Sequence, residues 1–330
     1  MYTQKIGYLE FRYGADPKRQ TANVGDSIQS IAVRRLLKRL AIDEANIVGV
    51  DRDSLKQYAG PPVKLIMNGC FNERCFPLPS QITPIFFGFN AESESVITKN
   101  KELFKRHQPI GCRDNATKQM FDRHRITAYV TGCATLTLDR RTEAADIAAA
   151  PVIAFGAGSG VLQQKLLEII PKPLLEHARL IYQREPVREI PLSDDSVGKM
   201  NTLAHTYLDV YTKASVVVTP LLHVASPCVA MGIPVVLARR DRDDRFTAID
   251  RLLPVYTPTE FSSIDWRGRP LDIEPLKSAM LNVARHLLDD LKPADDDLAT
   301  LSKCYASRPV LQPPKTSKRR WRLRNLFGKR

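Results

Sequence analysis

The chain has 330 residues, of which 43% are apolar and 26% are charged, a composition typical of a folded protein that is long enough for two domains with their own cores. Six scattered cysteines without a Cys-x-x-Cys pair, and a start without a secretory signal pattern, favour a cytoplasmic protein with reduced thiols over a disulfide framework. The net charge is +13, but eight basic residues and no acidic one fall in residues 315–330, so the body is only mildly basic.

Strand-like and helix-like segments alternate along the N-terminal half. Residues 5–13 predict a strand, and Asp26, with Gln29 three residues later, predicts the cap of a helix. The apolar stripe of this helix is formed by Ile28, Ile31, Ala32, Leu36 and Leu40. Further short strands are predicted at residues 63–67, 85–89 and 126–130, and a second helix begins at Asp114 or Asn115. Such alternation predicts a parallel sheet covered by helices.

The alternation restarts after a charged and then alanine-rich segment at residues 139–150, where we place a domain junction. The predicted strands of this half are residues 151–155, 180–183, 215–219 and 234–238, and the predicted helices are residues 203–211, 224–231 and 274–291. The uncharged segment 215–238 could cover a bilayer in length, but its prolines and glycine divide it into strand, turn, short helix and strand. We predict domains at residues 1–145 and 146–300, with a final helix able to pack back on the first domain, and a basic tail at residues 301–330.

A glycine-rich segment, Gly156 to Gly160, follows a predicted strand. Its spacing is not that of a dinucleotide-binding loop, because the sixth position from Gly156 is Val161, and no acidic residue ends a following strand at the expected distance. We therefore assign no nucleotide cofactor. No cluster of His, Asp and Glu residues indicates a metal site.

Four short motifs lie where predicted strands end or helices begin. They are Asn23 to Asp26; Asn68-Gly69 within residues 65–71; Arg113-Asp114 within residues 109–117, followed by residues 128–138; and Thr219 to His223. In this order and at these distances the segments resemble the polysaccharide pyruvyl transferase family, over residues 23–245.

The resemblance implies two doubly wound, Rossmann-like α/β domains that face each other across a cleft, similar to the GT-B arrangement of two-domain glycosyltransferases. It also implies an enzyme that transfers a pyruvyl group from phosphoenolpyruvate to two hydroxyls of a sugar, forming a ketal. The acceptor would be a lipid-linked precursor of a cell-surface polysaccharide. This chemistry requires no metal and no cofactor besides the donor substrate.

The catalytic candidates are His223 and Arg113. His223 lies where a strand ends and a helix begins, so its imidazole can exchange a proton there beside a bound anion; a buried polar histidine is the alternative. Arg113 can form a two-pronged contact with a carboxylate or phosphate, the alternative being a surface ion pair with Asp114. The substrate-binding candidates are Asn23, Gly25, Asp26, Asn68, Gly69, Asp114, Thr219 and Arg245. A helix cap alone would also explain Gly25 and Asp26.

The chain departs from the family at Leu221, where the family motif has an arginine two residues before the histidine. One of the arginines after the next strand could supply the missing charge: Arg239, Arg240, Arg242 or Arg245. Otherwise the chain is a glycosyltransferase that uses a nucleotide-activated sugar on the same fold, or a non-catalytic sugar-binding or scaffold subunit of polysaccharide assembly.

The tail interleaves basic residues with Trp321, Leu323, Leu326 and Phe327. This pattern favours shallow insertion into an anionic membrane surface. A disordered end and a nucleic-acid arm are the alternatives, and no nucleic-acid-binding fold accompanies the tail. We therefore predict no nucleic-acid partner and a peripheral location on the inner face of a membrane.

Overall fold

The computed structural model describes residues 4–142, 149–156 and 160–309. The strands of the first half are β1 (Lys5–Glu10), β2 (Thr21–Asn23), β3 (Ile47–Asp51), β4 (Val63–Ile66), β5 (Gly69–Phe71), β6 (Ile82–Ile85), β7 (Phe89–Ala91), β8 (Ile110–Cys112) and β9 (Ala128–Val130). The helices of this half are α1 (Val24–Arg39), α2 (Glu94–Lys99), α3 (Lys101–Arg106) and α4 (Asn115–Arg123).

The second half has the same alternation. Its strands are β10 (Val152–Phe155), β11 (Arg179–Tyr182), β12 (Arg184–Pro186), β13 (Val217–Thr219), β14 (Val235–Ala238) and β15 (Val255–Tyr256). Its helices are α5 (Gly160–Ile169), α6 (Lys172–Glu176), α7 (Asp194–Thr212), α8 (Leu222–Ala230), α9 (Ile249–Leu252), α10 (Glu274–Leu288) and α11 (Asp295–Cys304).

Two parallel sheets form the framework. In the first half the strand order is β3-β1-β4-β6, and the sheet continues as β5-β7-β8-β9, because the backbone bonds from Met67 N to Ile85 O (2.8 Å) and from Gly69 N to Gly88 O (3.2 Å) bridge the interruption. In the second half the order is β11-β10-β13-β14-β15. Both orders reverse direction beside their first strand, so each half is doubly wound, and the predicted α/β fold with two Rossmann-like halves is confirmed.

A short antiparallel ribbon joins the two halves. β2 pairs with β12, with Asn23 opposite Arg184, and Val24 N donates to Gln183 O at 3.2 Å. Because β2 leads directly into α1 and β12 follows directly after β11, this pairing fixes the first turn of α1 beside the second sheet.

The structure corrects the start of α1. The apolar stripe is buried as predicted, but Asp26 does not cap the helix. Asn23 does, because its backbone is extended (φ −101°, ψ 111°) and its side chain accepts a hydrogen bond from Gly25 N at 3.2 Å. Asp26 lies within the first turn, which places its carboxylate near the free N–H groups.

The strand predicted at residues 85–89 is wrong. This segment holds the end of β6, an interruption and the first residue of β7. Gly88 has a φ of +72°, and a Cβ there would lie 2.1 Å from Asn68 Oδ1, so the backbone turns to accommodate the Asn68 side chain instead of continuing as a strand.

The C-terminal helices differ from the sequence-based expectation. α10 ends at Leu288 rather than at Leu291, which is 57% exposed. α11 was not predicted, and it extends to Cys304, into residues assigned above to the tail. Tyr305 follows it, is buried, and donates from its hydroxyl to Thr131 O in the first half at 3.0 Å. The end of the described chain is thus packed against the first sheet.

The uncharged segment at residues 215–238 forms β13, α8 and β14, as predicted. Across the three described ranges, no helix has the length and apolar character needed to span a membrane.

The packing of Tyr305 gives a prediction about stability. Tyr305→Ala should lower the free energy of unfolding by about 3–5 kcal/mol, because a large buried side chain is lost. Tyr305→Phe should cost about 1–3 kcal/mol, since Thr131 O loses its buried donor. Chemical denaturation measures both, with Lys303→Ala on the exposed side of α11 as the control. A cost of Tyr305→Ala equal to that of the control would show that this contact does not hold the chain end.

Candidate active site in the cleft between the sheets

A cleft of about 530 Å³ lies between the two halves. The first half contributes Phe11, Arg52 and Arg113, which directly follow β1, β3 and β8, and Cys70, which lies within β5. The second half contributes residues after β10, β13 and β14, which are Gly156, Pro220 to Val224, and Arg239 to Asp241. The carboxyl ends of parallel strands, beside the point where strand order reverses, are where doubly wound sheets bind ligands.

The cleft is strongly cationic. Its lining includes six arginines and two aspartates, namely Arg52, Arg113, Arg184, Arg239, Arg240 and Arg245 with Asp26 and Asp241. Several of these charges are close together: Arg113, Arg52 and Arg245 all act to lower the pKa of the Cys70 thiol, which burial raises. A ligand with more than one negative charge suits such a site.

His223 lies in the first turn of α8 and is the central side chain of the cleft. Its Nε2 is buried and has no hydrogen-bond partner among the described residues. Its Nδ1 lies 3.4 Å from Gln29 Nε2, on α1 of the other half. A Cβ on Gly25 would lie 2.9 Å from His223 Cβ, so the glycine is what allows α1 and the histidine to approach this closely.

His223 is neutral near pH 7. Burial lowers its pKa to about 3, and the positive charges of Arg113 and Arg245 contribute to the shift. An anion bound between these groups would oppose the arginines and raise the pKa of the imidazole. The protonation of His223 is therefore coupled to ligand charge.

Arg113 is 4% exposed, and its Nε has no hydrogen-bond partner among the described residues. The nearest carboxylate oxygen is Asp114 Oδ2, at 3.8 Å from Nε, which is too far for a hydrogen bond. A buried guanidinium without a bonded carboxylate is costly, and a bound carboxylate or phosphate would satisfy it.

Asp114 does not line the cleft. It caps α4 by accepting from Thr117 N at 2.8 Å, and it accepts from Asn90 Nδ2 at 2.8 Å. Burial raises its pKa, while Arg113 and these hydrogen bonds oppose the rise. Asp114 therefore stabilises the turn that carries Arg113 and does not itself contact a ligand in the cleft.

Three other predicted binding residues also lie outside the cleft lining. Asn68 is 1% exposed and accepts from Ala134 N at 2.8 Å. Gly69 begins β5 inside the sheet. Thr219 is buried, donates to Ala154 O at 2.9 Å and accepts from Leu221 N at 3.1 Å, which shapes the turn that presents His223.

Asn23, Gly25, Asp26 and Arg245 do line the cleft, with His223 and Arg113. Asp26 is held by three side chains, because it accepts from Tyr13 OH at 3.0 Å, Asn23 Nδ2 at 3.0 Å and Gln29 Nε2 at 3.3 Å. The structure thus assembles the Asn23–Asp26 motif, Arg113 and His223 at one place, although they are distant in the sequence.

Leu221 takes the position of the family arginine and packs beside Gly156 at the end of β10. Of the arginines considered as replacements, Arg239, Arg240 and Arg245 line the cleft and Arg242 does not. Arg239 lies closest to the turn, since its Nη1 donates to Pro220 O at 2.6 Å, but it is already paired with Asp243 at 2.7 Å.

Several cleft residues were not predicted from the sequence. They are Phe11, Gln29, Arg52, Cys70, Gln183 and Arg184. Phe11, Arg52 and Gln183 directly follow strands, and a polar or aromatic residue after an apolar strand was the available signal. Gln29 was noted only as a partner of a helix cap. Across the described residues, no group of three or more His, Cys, Asp or Glu side chains is arranged to hold a metal ion.

A family model described as polysaccharide pyruvyl transferase matches residues 23–242, about two thirds of the chain, so the chain belongs to this family. The match supports a pyruvyl-transfer role in polysaccharide synthesis. Among curated protein sequences, none matches significantly.

Some solved structures are similar in fold. A functionally uncharacterized protein of Klebsiella pneumoniae matches with 13% identity and a TM-score of 0.41, over 72% of this chain and 84% of that one. The S. aureus MnaA–UDP co-structure matches with 9% identity and a TM-score of 0.46, over 89% and 100%. A putative UDP-N-acetylglucosamine 2-epimerase of Listeria monocytogenes matches with 11% identity and a TM-score of 0.40, over 94% and 99%.

The lowered pKa of His223 predicts a pH dependence of stability. The unfolded chain, whose histidine has the ordinary pKa of 6.5, takes up a proton first as the pH falls. Stability is therefore lost from about pH 6.5 downward and regained as the pH rises. Between pH 7 and pH 5, the wild type should lose about 1–2 kcal/mol more of its free energy of unfolding than His223→Gln does. Equal losses in urea titrations of the two proteins would mean that His223 is not kept neutral by the fold.

Proposed function

We propose that this member of the polysaccharide pyruvyl transferase family transfers the pyruvyl group of phosphoenolpyruvate to two hydroxyls of a sugar, forming a ketal and releasing phosphate. The acceptor is a precursor of a cell-surface polysaccharide. The observation that carries the proposal is a cationic cleft lined by two residues with a buried nitrogen that has no hydrogen-bond partner among the described residues. These are Arg113 at Nε, which is 3.8 Å from Asp114 Oδ2, and His223 at Nε2.

The donor matches the charges of the cleft. Phosphoenolpyruvate carries a phosphate and a carboxylate, and each needs charge-assisted hydrogen bonds. Arg113 presents a planar fork suited to either group. Arg52 and Arg245, which also pair with Asp53 at 2.7 Å and Asp243 at 3.0 Å, lie within electrostatic reach of Cys70 together with Arg113. A hydrogen bond to a charged group contributes about 1.5–3 kcal/mol, so these arginines suffice to hold the donor and, later, the departing phosphate.

The reaction is balanced by moving two protons. A proton added to the methylene carbon makes it a methyl group and leaves C2 electrophilic; one sugar hydroxyl attacks C2 and loses its proton. The C2–O bond to phosphate then breaks, and the second hydroxyl attacks and loses its proton. One proton ends on the methyl group and the other on phosphate. We assign the proton exchange in the cleft to His223.

The cleft has room for both substrates. Its volume of about 530 Å³ lies within the ~300–1,000 Å³ typical of small-molecule sites, and a three-carbon donor fills only part of it. Phe11, Leu221 and Leu222 give it apolar surface on which a sugar ring can pack.

Leu221 supports one competing function, a sugar-binding or scaffold subunit without catalysis. The charge of the family arginine is absent, and Arg239 already has a carboxylate partner. The two functions differ in whether phosphoenolpyruvate is consumed.

Turnover of phosphoenolpyruvate in the presence of a sugar acceptor tests the proposed function. Purified full-length protein, incubated with phosphoenolpyruvate and a panel of aryl and lipid-linked glycosides, should release phosphate and add the mass of a pyruvyl ketal to an acceptor. Arg113→Ala should chiefly raise KM for the donor, and Arg113→Lys should recover only part of the loss, because the planar fork is gone. His223→Ala should lower kcat by roughly 10²–10⁴-fold.

The control is Arg34→Ala, which removes a surface arginine that pairs with Glu44 outside the cleft. This variant should match the wild type. Donor binding by calorimetry without turnover would favour the non-catalytic subunit, and no donor binding at all would remove phosphoenolpyruvate from the proposal.

We propose further that the basic tail attaches the protein to an anionic membrane surface, near a lipid-linked acceptor. The support is the sequence alone, since residues 310–330 lie outside the described part of the chain. Basic residues near such a surface contribute about 1 kcal/mol each, and the tail's aromatic and leucine side chains add apolar insertion.

Deletion of residues 315–330 should therefore abolish sedimentation with vesicles that contain anionic lipid and leave the melting temperature unchanged. Turnover on a soluble glycoside should persist, while turnover on a membrane-embedded acceptor should fall. Vesicle binding by the wild type should weaken with salt. Undiminished sedimentation of the truncated protein would place the attachment elsewhere.

A further inference from the structure

Three polar side chains at the start of α1, which we call the α1 polar row, lead from the helix cap to His223. They are Asn23, Asp26 and Gln29, spaced three residues apart, so they lie on one face of the first two turns. The row ends at the imidazole: Gln29 Nε2 is 3.3 Å from Asp26 Oδ1 and 3.4 Å from His223 Nδ1. Gln29 itself is buried, with 3% of its surface exposed.

The direction of each hydrogen bond in the row is determined. Gly25 N can only donate, so the atom of Asn23 that faces it at 3.2 Å is the oxygen. Asn23 Nδ2 then donates to Asp26 at 3.0 Å. An ionised aspartate can only accept, so the atom of Gln29 that faces Asp26 Oδ1 is its nitrogen.

The same nitrogen is the one that faces His223. An amide NH₂ has two hydrogens and no acceptor capacity, so Gln29 Nε2 donates one hydrogen to Asp26 and the other to His223 Nδ1. Turning the amide over would bring Gln29 Oε1 against Asp26 Oδ1, two acceptors without a hydrogen between them. His223 Nδ1 is thus required to be the acceptor.

We propose that the α1 polar row holds His223 in the tautomer that carries its hydrogen on Nε2, so that the buried Nε2 of the neutral imidazole is a hydrogen-bond donor. Gln29 is the positioning residue for this tautomer, and Asp26 fixes the orientation of Gln29. Gly25 allows the contact, because any side chain there would collide with His223.

This tautomer determines what the imidazole does first. Its buried Nε2 has no partner in the described part of the chain, and an N–H at that position can donate a hydrogen bond to an anionic oxygen of a ligand. If the proposed function holds, on which this step rests, that oxygen belongs to the donor's phosphate or carboxylate.

The charges around the imidazole come from several elements. Arg113, after β8, and Arg245, after β14, face it with positive charge, and Asp26 of α1 lies behind Gln29. None of the three contacts Nδ1, so the tautomer is set by the amide rather than by a direct ion pair.

The acceptor and donor at position 29 can be exchanged without changing the net charge of the row. In the double variant Asp26→Asn with Gln29→Glu, the carboxylate at 29 can only accept a hydrogen bond from His223 Nδ1. NMR of full-length protein with ¹⁵N-labelled histidine reads the tautomer, and the His223 signals are those missing from His223→Gln. We expect the hydrogen on Nε2 in the wild type and on Nδ1 in the double variant.

The matched control is the same exchange on an exposed pair, Gln164→Glu with Glu168→Gln on α5, which bond at 3.1 Å outside the cleft. It should leave the tautomer unchanged. A hydrogen on Nδ1 in the wild type overturns the proposal, as does a folded double variant that keeps it on Nε2; if the double variant does not fold, the wild-type spectrum decides. Phosphoenolpyruvate that leaves the His223 signals unmoved counts against the proposed function and not against the tautomer.

Discussion

The close approach of Gly25 and His223 is the constraint on which the cleft depends. The two residues come from different halves, and a Cβ at position 25 would lie 2.9 Å from His223 Cβ, nearer than side chains tolerate. Because the first turn of α1 carries no side chain at this point, the next turn brings Gln29 to the imidazole. The ring then contacts α1 at Nδ1, while its buried Nε2 has no partner among the described residues.

The electrostatics of the cleft follow from this arrangement. A neutral imidazole tolerates positive neighbours, whereas an imidazolium would be repelled by Arg113 and Arg245. The buried guanidinium of Arg113 is likewise left without a bonded carboxylate. The cleft lining therefore carries an excess of positive charge, with six arginines and two aspartates, and an anionic ligand would relieve the desolvation of Arg113 and the repulsion around His223 at once.

Much of this could be predicted from the sequence, for local reasons. Alternating apolar segments predicted the two parallel sheets, and the turn before His223 was visible as an apolar strand followed by a proline. Asn68 and Thr219 illustrate the limit: a polar residue beside a strand looks the same whether it binds a ligand or a backbone group, as both do here. Gln29 and Arg184 could not be predicted as cleft residues, because their positions depend on the β2–β12 pairing, which joins segments about 160 residues apart. The helix α11 was missed because its sequence begins with three aspartates and has little apolar pattern.

The β2–β12 ribbon also limits how the protein can vary by recombination. Many two-domain enzymes bind one substrate on each half, and the halves can be exchanged between relatives as modules. Here the bond from Val24 N to Gln183 O and the contact from Gln29 to His223 cross between the halves. A chimera that joins the N-terminal half of one relative to the C-terminal half of another would have to preserve both contacts. We therefore expect that the two halves cannot be exchanged independently without disturbing this site.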